Sequence, residues 1–162
     1  MSIHFSLKVK DTSMNEKMLV AEISNLGMSL DLNYNSEEDI VDFNSTYDIY
    51  GFDITFVKNE CPPFNEYETL FLQNNFKYNQ SVLFGINKEG DFREIYSKML
   101  ELIFNLMSKI NTNALLTSSV HDDICYFENG KSIYIKSTIS FSDIIEHYAK
   151  IHGQWNCFYK QS

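Results

Sequence analysis

Arginine is almost missing from this 162-residue sequence: Arg93 stands alone beside twelve lysines. With one guanidinium, the bidentate clamps by which proteins grip phosphates are nearly excluded. Basic charge is short overall, 13 Lys and Arg against 22 Asp and Glu, and a net charge of −9 argues against direct nucleic-acid binding. Glycine is scarce too. The six glycines form no G-x-G-x-x-G and no GK[ST], so a glycine-rich phosphate loop is absent. The two prolines are adjacent, Pro62-Pro63, and break regular structure at one place only.

The three cysteines, Cys61, Cys125 and Cys157, are scattered, odd in number and free of any C-x-x-C pair. They read as small reduced hydrophobes of a cytosolic protein, without the close spacing that zinc needs. No stretch approaches the roughly 20 apolar residues of a membrane span. The first ten residues alternate polar and apolar side chains and lack the apolar run of a signal peptide. A soluble, cytoplasmic protein is expected, with no cofactor and no bound metal.

What is present suffices for a core: 44% of residues are hydrophobic and 15% aromatic. The length suits one domain over 1–162, with no linker, repeat or low-complexity segment. Ile3, Phe5, Leu7 and Val9 alternate with Ser2, His4, Ser6 and Lys8, which predicts a half-buried strand. Ser13 and Glu16 form an S-x-x-E box, so a helix is expected over about 13–26, stopped by Gly27. Met28 to Tyr34 alternates as a second strand, Ser36 to Asp42 reads as a short acidic connection, and Asp48 to Val57 as a strong strand with Tyr50 in the core. Strands are also expected over Thr69–Leu72 and Ser81–Ile86.

The clearest element is a helix over about 91–110. Asp91 caps it, and Phe92, Ile95, Met99, Leu102, Ile103, Leu106 and Ile110 recur on one face. A strand at Ala114–Thr117 follows, then a hairpin of Asp123–Phe127 and Ser132–Lys136 joined through Asn129-Gly130, a pair that tolerates positive φ. A last helix over about 142–152 precedes an aromatic tail of Trp155, Phe158 and Tyr159, expected to pack back on the domain. The sum is an α+β fold: a two-layer domain with a mainly antiparallel sheet and helices packed on it.

Catalytic signals are thin. His121-Asp122-Asp123 suits a general base oriented by a carboxylate, but equally a solvated loop entering the hairpin. Glu146, His147 and His152 suggest metal ligands, yet the two histidines are five residues apart and do not share a helix face. No G-x-S-x-G and no cysteine with an identifiable partner is present. No catalytic residue is assigned, and the chain is not expected to be an enzyme.

Charge location says more than charge total. Between Asp31 and Glu68 lie ten acids and one base, Lys58, a balance of −9 that equals the whole net charge; the other 124 residues balance at zero. The same stretch carries Tyr34, Phe43, Tyr47, Tyr50, Phe64 and Tyr67. Acids among aromatics suit a protein-binding surface, where charge steers a basic partner and rings anchor it. They also suit plain solubility with ordinary core aromatics. The candidate partner-binding residues are Glu37, Glu38, Asp39, Asp42, Tyr47, Glu60, Glu66, Tyr67 and Glu68.

The element order resembles the immunity proteins of bacterial polymorphic-toxin systems, including contact-dependent growth inhibition. It is similar in particular to a swarming-inhibition immunity family. That family also opens on an alternating strand, here Ile3-x-Phe5-x-Leu7-x-Val9. It also has a long late helix leading to a Leu-Leu strand and a hairpin, here Ala114-Leu115-Leu116 and Glu128-Asn129-Gly130-Lys131. The similarity is one of element order over most of the chain, without a diagnostic motif. It implies a cytosolic antitoxin that binds one cognate toxin domain, often a basic nuclease, with no catalytic residues of its own. A monomer is expected. Two alternatives stand beside it: a homodimeric acidic secretion chaperone with an apolar groove, and a small hydrolase using His121 or His147 as base.

Overall fold

The computed structural model describes residues 3–27, 34–120, 122–136, 141–152 and 156–158. In chain order, β1 (His4–Val9) leads to α1 (Glu16–Asn25), then a hairpin of β2 (Asn35–Ser36) and β3 (Ile40–Phe43). The short helix α2 (Thr46–Tyr50) turns through Gly51 into β4 (Phe52–Val57). A two-stranded ribbon, β5 (Glu66–Tyr67) with β6 (Phe76–Lys77), precedes β7 (Gln80–Ile86) and the long helix α3 (Phe92–Met107). Last come β8 (Ala114–Ser118), β9 (Asp122–Glu128), β10 (Lys131–Lys136), α4 (Ser142–Ile151) and β11 (Asn156–Phe158).

Among the described residues nine strands form one sheet in the order β11-β10-β9-β8-β1-β7-β4-β3-β2, which puts the first strand at the centre. Every pairing is antiparallel except β10 with β11. With helices packed on this sheet, the fold is α+β, as the residue pattern predicts. Period 2 then assigns each side chain to a face. Phe5, Leu7 and Val9 of β1 join Ile54, Phe56, Val82, Phe84, Leu116, Cys125 and Phe127 beneath the buried stripe of α3. His4, Ser6 and Lys8 point the other way, and the register lines Lys8 up with Val57 and Ser81 on one side and with Leu115 and Tyr126 on the other.

Part of that second face is covered by residues 59–79, a strap that leaves the end of β4, carries the β5–β6 ribbon and returns into β7. Its Phe71, Phe76 and Tyr78 bury Leu115 and Tyr126, with Tyr67, Leu72, Ile133 and Tyr134 packed around them. The Phe71 ring stacks on Tyr134 at 5.9 Å, and Phe76 meets Tyr126 edge-on at 6.1 Å. The strap stops short of the β7–β4–β3 half. There Leu83 and Ile40 stay about 40% exposed.

Local chemistry explains where the expected elements move. α1 starts at Asn15 rather than Ser13: the Asn15 side chain accepts from the Met18 amide at 2.9 Å. Ser13 is taken by a turn onto Asp11, and the Met14 backbone is held at both polar groups by the Gln80 amide. The acidic connection Ser36–Asp42 is the β2–β3 hairpin. Asp48–Tyr50 belongs to α2, not to a strand, because Gly51 at φ +84° ends a helical turn there. Thr46 Oγ1 donates to the carbonyls that flank that turn, Phe43 and Phe52. Tyr50 is half-buried, with its hydroxyl donating to the Leu26 carbonyl.

Thr69–Leu72 is not a strand either. Side chains take its amides: Leu70 N–H donates to Asp123 and Phe71 N–H to Thr69 Oγ1, leaving turns. The Asn129-Gly130 hairpin has both residues at positive φ, and its tip packs against the Ile110 carbonyl, where a Cβ on Gly130 would clash. α3 stops at Met107, three residues before the expected end. The aromatic tail supplies β11, parallel to β10; Trp155, Tyr159 and residues 28–33 of the expected second strand lie outside the described residues.

Candidate functional site

The nine candidate partner-binding residues occupy three places. Glu37, Glu38 and Asp39 form the exposed turn between β2 and β3, at the edge of the sheet. The one base of the segment is tied down behind them. Lys58 pairs with Glu16 at 3.6 Å and donates to the Glu37 carbonyl at 3.1 Å, so it does not project among the acids. Glu16 is itself held below its ordinary pKa by the Ser36 hydroxyl and by Lys58. Asp39 accepts from the Asn59 amide at 3.0 Å, which stiffens the turn. Asp42 lies on the half of the second face that the strap leaves open and accepts from Thr55 at 2.8 Å. Asp53 sits nearby and accepts the Gly85 amide at 2.9 Å.

Tyr47 is exposed on α2, within the helix layer rather than on the strap side. With Asp48, Ile49, Glu94, Asp143 and His147 it lines an open groove of about 1190 Å³, bridged by the Arg93–Asp143 ion pair. The third group lies in the strap. Glu60 accepts from the buried Ser81 hydroxyl, Glu66 pairs with Lys77 at 3.5 Å, and Glu68 is exposed. Tyr67 is not an exposed anchor. It is half-buried, its ring covering Lys8.

That lysine belongs to a cluster the residue pattern did not point to. Lys8 is only 7% exposed; Nζ donates to Thr117 Oγ1 at 2.7 Å and lies 4.6 Å from the Tyr67 ring centre and 5.7 Å from that of Tyr78. Burial pushes its pKa down from 10.5 to about 8, against the opposing pull of Glu60 and Asp123. Asp123 is 2% exposed; Oδ2 accepts the Leu70 amide at 2.9 Å, and Oδ1 has no hydrogen-bond partner among the described residues. Asp123 also lines a cavity of about 850 Å³ formed with strap residues 67–75. On β1, Lys8 counts as one more polar residue on a period-2 strand. Nothing in that alternation separates a lysine facing water from one facing a strap.

Among the described residues the catalytic candidates do not assemble. His121 lies outside the described residues, and His147 is exposed on α4, its ring edge-on to Tyr148. His152 stacks on Phe104 at 5.9 Å, with burial lowering its pKa, and Glu146 is half-buried on the same helix. Among the described residues no three His, Cys, Asp or Glu side chains gather to hold a metal. Cys125 is fully buried, its thiol pKa raised by that burial, while Cys61 is exposed. No described helix is long and apolar enough to cross a membrane. Comparison with known proteins finds no matching family model, no matching curated protein and no matching solved structure.

Proposed function

We propose that this protein is an immunity protein: a cytoplasmic, monomeric, non-enzymatic inhibitor that binds a cognate toxin domain of basic character, most simply a nuclease. The observation that carries the proposal is a coincidence of charge and exposed apolar surface. Of the ten large apolar side chains exposed among the described residues, five (Tyr34, Ile40, Tyr47, Ile49 and Phe64) lie in the 31–68 segment that holds the protein's entire charge excess. Phe64 is the most exposed of all, at 77%. Carboxylates at the β2–β3 turn steer a basic surface inward, and exposed rings supply the anchors that hold it.

The test uses the partner recovered with the tagged chain from its native cells at low salt. A folded domain rich in Lys and Arg is expected, associating at a rate that falls steeply as the Debye length shrinks from roughly 10 Å at 0.1 M to 3 Å at 1 M salt. The triple reversal Glu37→Lys, Glu38→Lys, Asp39→Lys leaves folding intact and lowers the on-rate about tenfold or more. An unchanged rate and salt dependence in that variant overturns the acidic-surface account.

A further inference from the structure

The cavity formed by strap residues 67–75 and Asp123 is lined by two carboxylates and, among the described residues, by no base. Its walls are Tyr67, Phe71 and the polar run Gln73 to Asn75, with Glu68 exposed and Asp123 buried; among the described residues no Lys, Arg or His lines it. A buried carboxylate oxygen without a partner is costly, since burial strips its water and nothing replaces it. Asp123 Oδ1 is in that position, while its other oxygen is satisfied by the Leu70 amide. Lys8 does not resolve it. Its nitrogen is turned to Thr117 and the faces of Tyr67 and Tyr78, it does not line the cavity, and no ion pair joins it to Asp123 among the described residues.

We propose that this cavity is a binding site for an organic cation, the ammonium or guanidinium end of a lysine or arginine side chain, with Asp123 as its buried counter-charge. The chemistry of the lining selects that class. Among the described residues an anion finds no positive group there, and a metal ion finds only two carboxylates and no cluster of three ligands. A side-chain cation finds a carboxylate with one oxygen that has no donor among the described residues. Oδ1 is closed to solvent in this conformation, so occupancy accompanies opening of the turns at 70–74. Those residues belong to no strand ladder. The proposal deepens the function above, on which it rests for the source of the cation: a basic side chain of the partner inserts under the strap.

The experiment needs no partner. Amide nitrogen–proton spectra of the full chain are titrated with N-acetyl-arginine amide and, separately, with its neutral isostere N-acetyl-citrulline amide. Saturable shifts in the amides of 69–75 at millimolar arginine amide, with citrulline amide at least tenfold weaker, are expected. Asp123→Asn, which keeps the shape and an acceptor for Leu70, lowers the arginine affinity about tenfold, and Glu68→Gln lowers it less. Absent shifts, equal binding of the citrulline compound, or unchanged affinity in a folded Asp123→Asn protein overturns the proposal. If Asp123→Asn does not fold, the arginine–citrulline comparison decides alone. A partner whose on-rate responds to reversal at 37–39 while arginine amide fails to bind leaves the immunity function standing and removes this site. The opposite pair of results does the reverse.

Discussion

On one face of the sheet, α1, α3 and α4 close a single continuous core in which Leu19, Met99, Leu102, Leu106 and Ile145 are wholly buried. On the other, the strap closes five buried apolar residues and is otherwise held by individual polar links. The Leu70 amide donates to Asp123 and the Ser81 hydroxyl to Glu60, Lys8 of β1 lies against the Tyr67 and Tyr78 rings, and within the strap the Tyr78 hydroxyl donates to the Phe64 carbonyl at 2.7 Å. Apolar burial is additive and non-directional, so the helix face loses stability in proportion to what is removed from it. Polar links are near break-even when made and expensive when half-made. A face held this way is the one expected to open locally, and it carries the carboxylate oxygen that has no partner among the described residues.

The largest expected effect lies on the helix face. Leu106→Ala should cost about 3 kcal/mol through lost burial and the cavity left behind. Leu83→Ala, on the half of the second face that the strap leaves open, should cost well under ~1 kcal/mol. Urea midpoints at unchanged m-value give both numbers. Equal costs would break the contrast between a packed face and an open one.

A smaller effect isolates the strap. Lys8 faces Glu60, Asp123, Tyr67 and Tyr78, and its folded pKa is about 8 against an ordinary 10.5. Below pH 8 both folded and unfolded chains carry the proton, and the cost of burying the charge is fully present. Between 8 and 10.5 the unfolded chain binds more protons than the folded one, so stability rises with pH. The gain is at most about 3 kcal/mol, and roughly half of it should appear by pH 9.5. Tyr78 and Tyr126, whose pKa values burial raises, act in the opposite direction above about pH 10, and the buried Cys125 thiol does so from about pH 9, equally in both proteins compared below. Unfolding of the wild type and of Lys8→Met at pH 7, 8, 9 and 9.5 checks this: the rise belongs to the wild type alone. Parallel profiles would show that the strap does not bury that charge.

The same contrast explains what could be read from the residues. β1, α3 and the β9–β10 hairpin follow from alternation, helical spacing and an Asn-Gly turn because their side chains face one large apolar layer. The strap follows from none of these. Thr69–Leu72 has the composition of a strand and becomes turns because Asp123, 53 residues from Leu70, captures the Leu70 amide. α2 hides inside an apparent alternation that Gly51 interrupts. The candidate acids were legible as a charge excess, but their division among a turn, a helix and a strap is a property of the register. Lys8 gave no local signal, and Asp123 gave one only for a carboxylate beside His121; their burial depends on the path of residues 59–79.

Native-state hydrogen exchange tests most directly the claim that the strap is a separately opening cover. Amides of Leu70, Phe71 and Tyr78 should exchange through a local opening costing several kcal/mol less than global unfolding, while those of Leu102, Ile103 and Leu106 in α3 exchange only with the whole fold. Strap amides that exchange with the same free energy and denaturant dependence as α3 would contradict the account, because the two faces would then open as one.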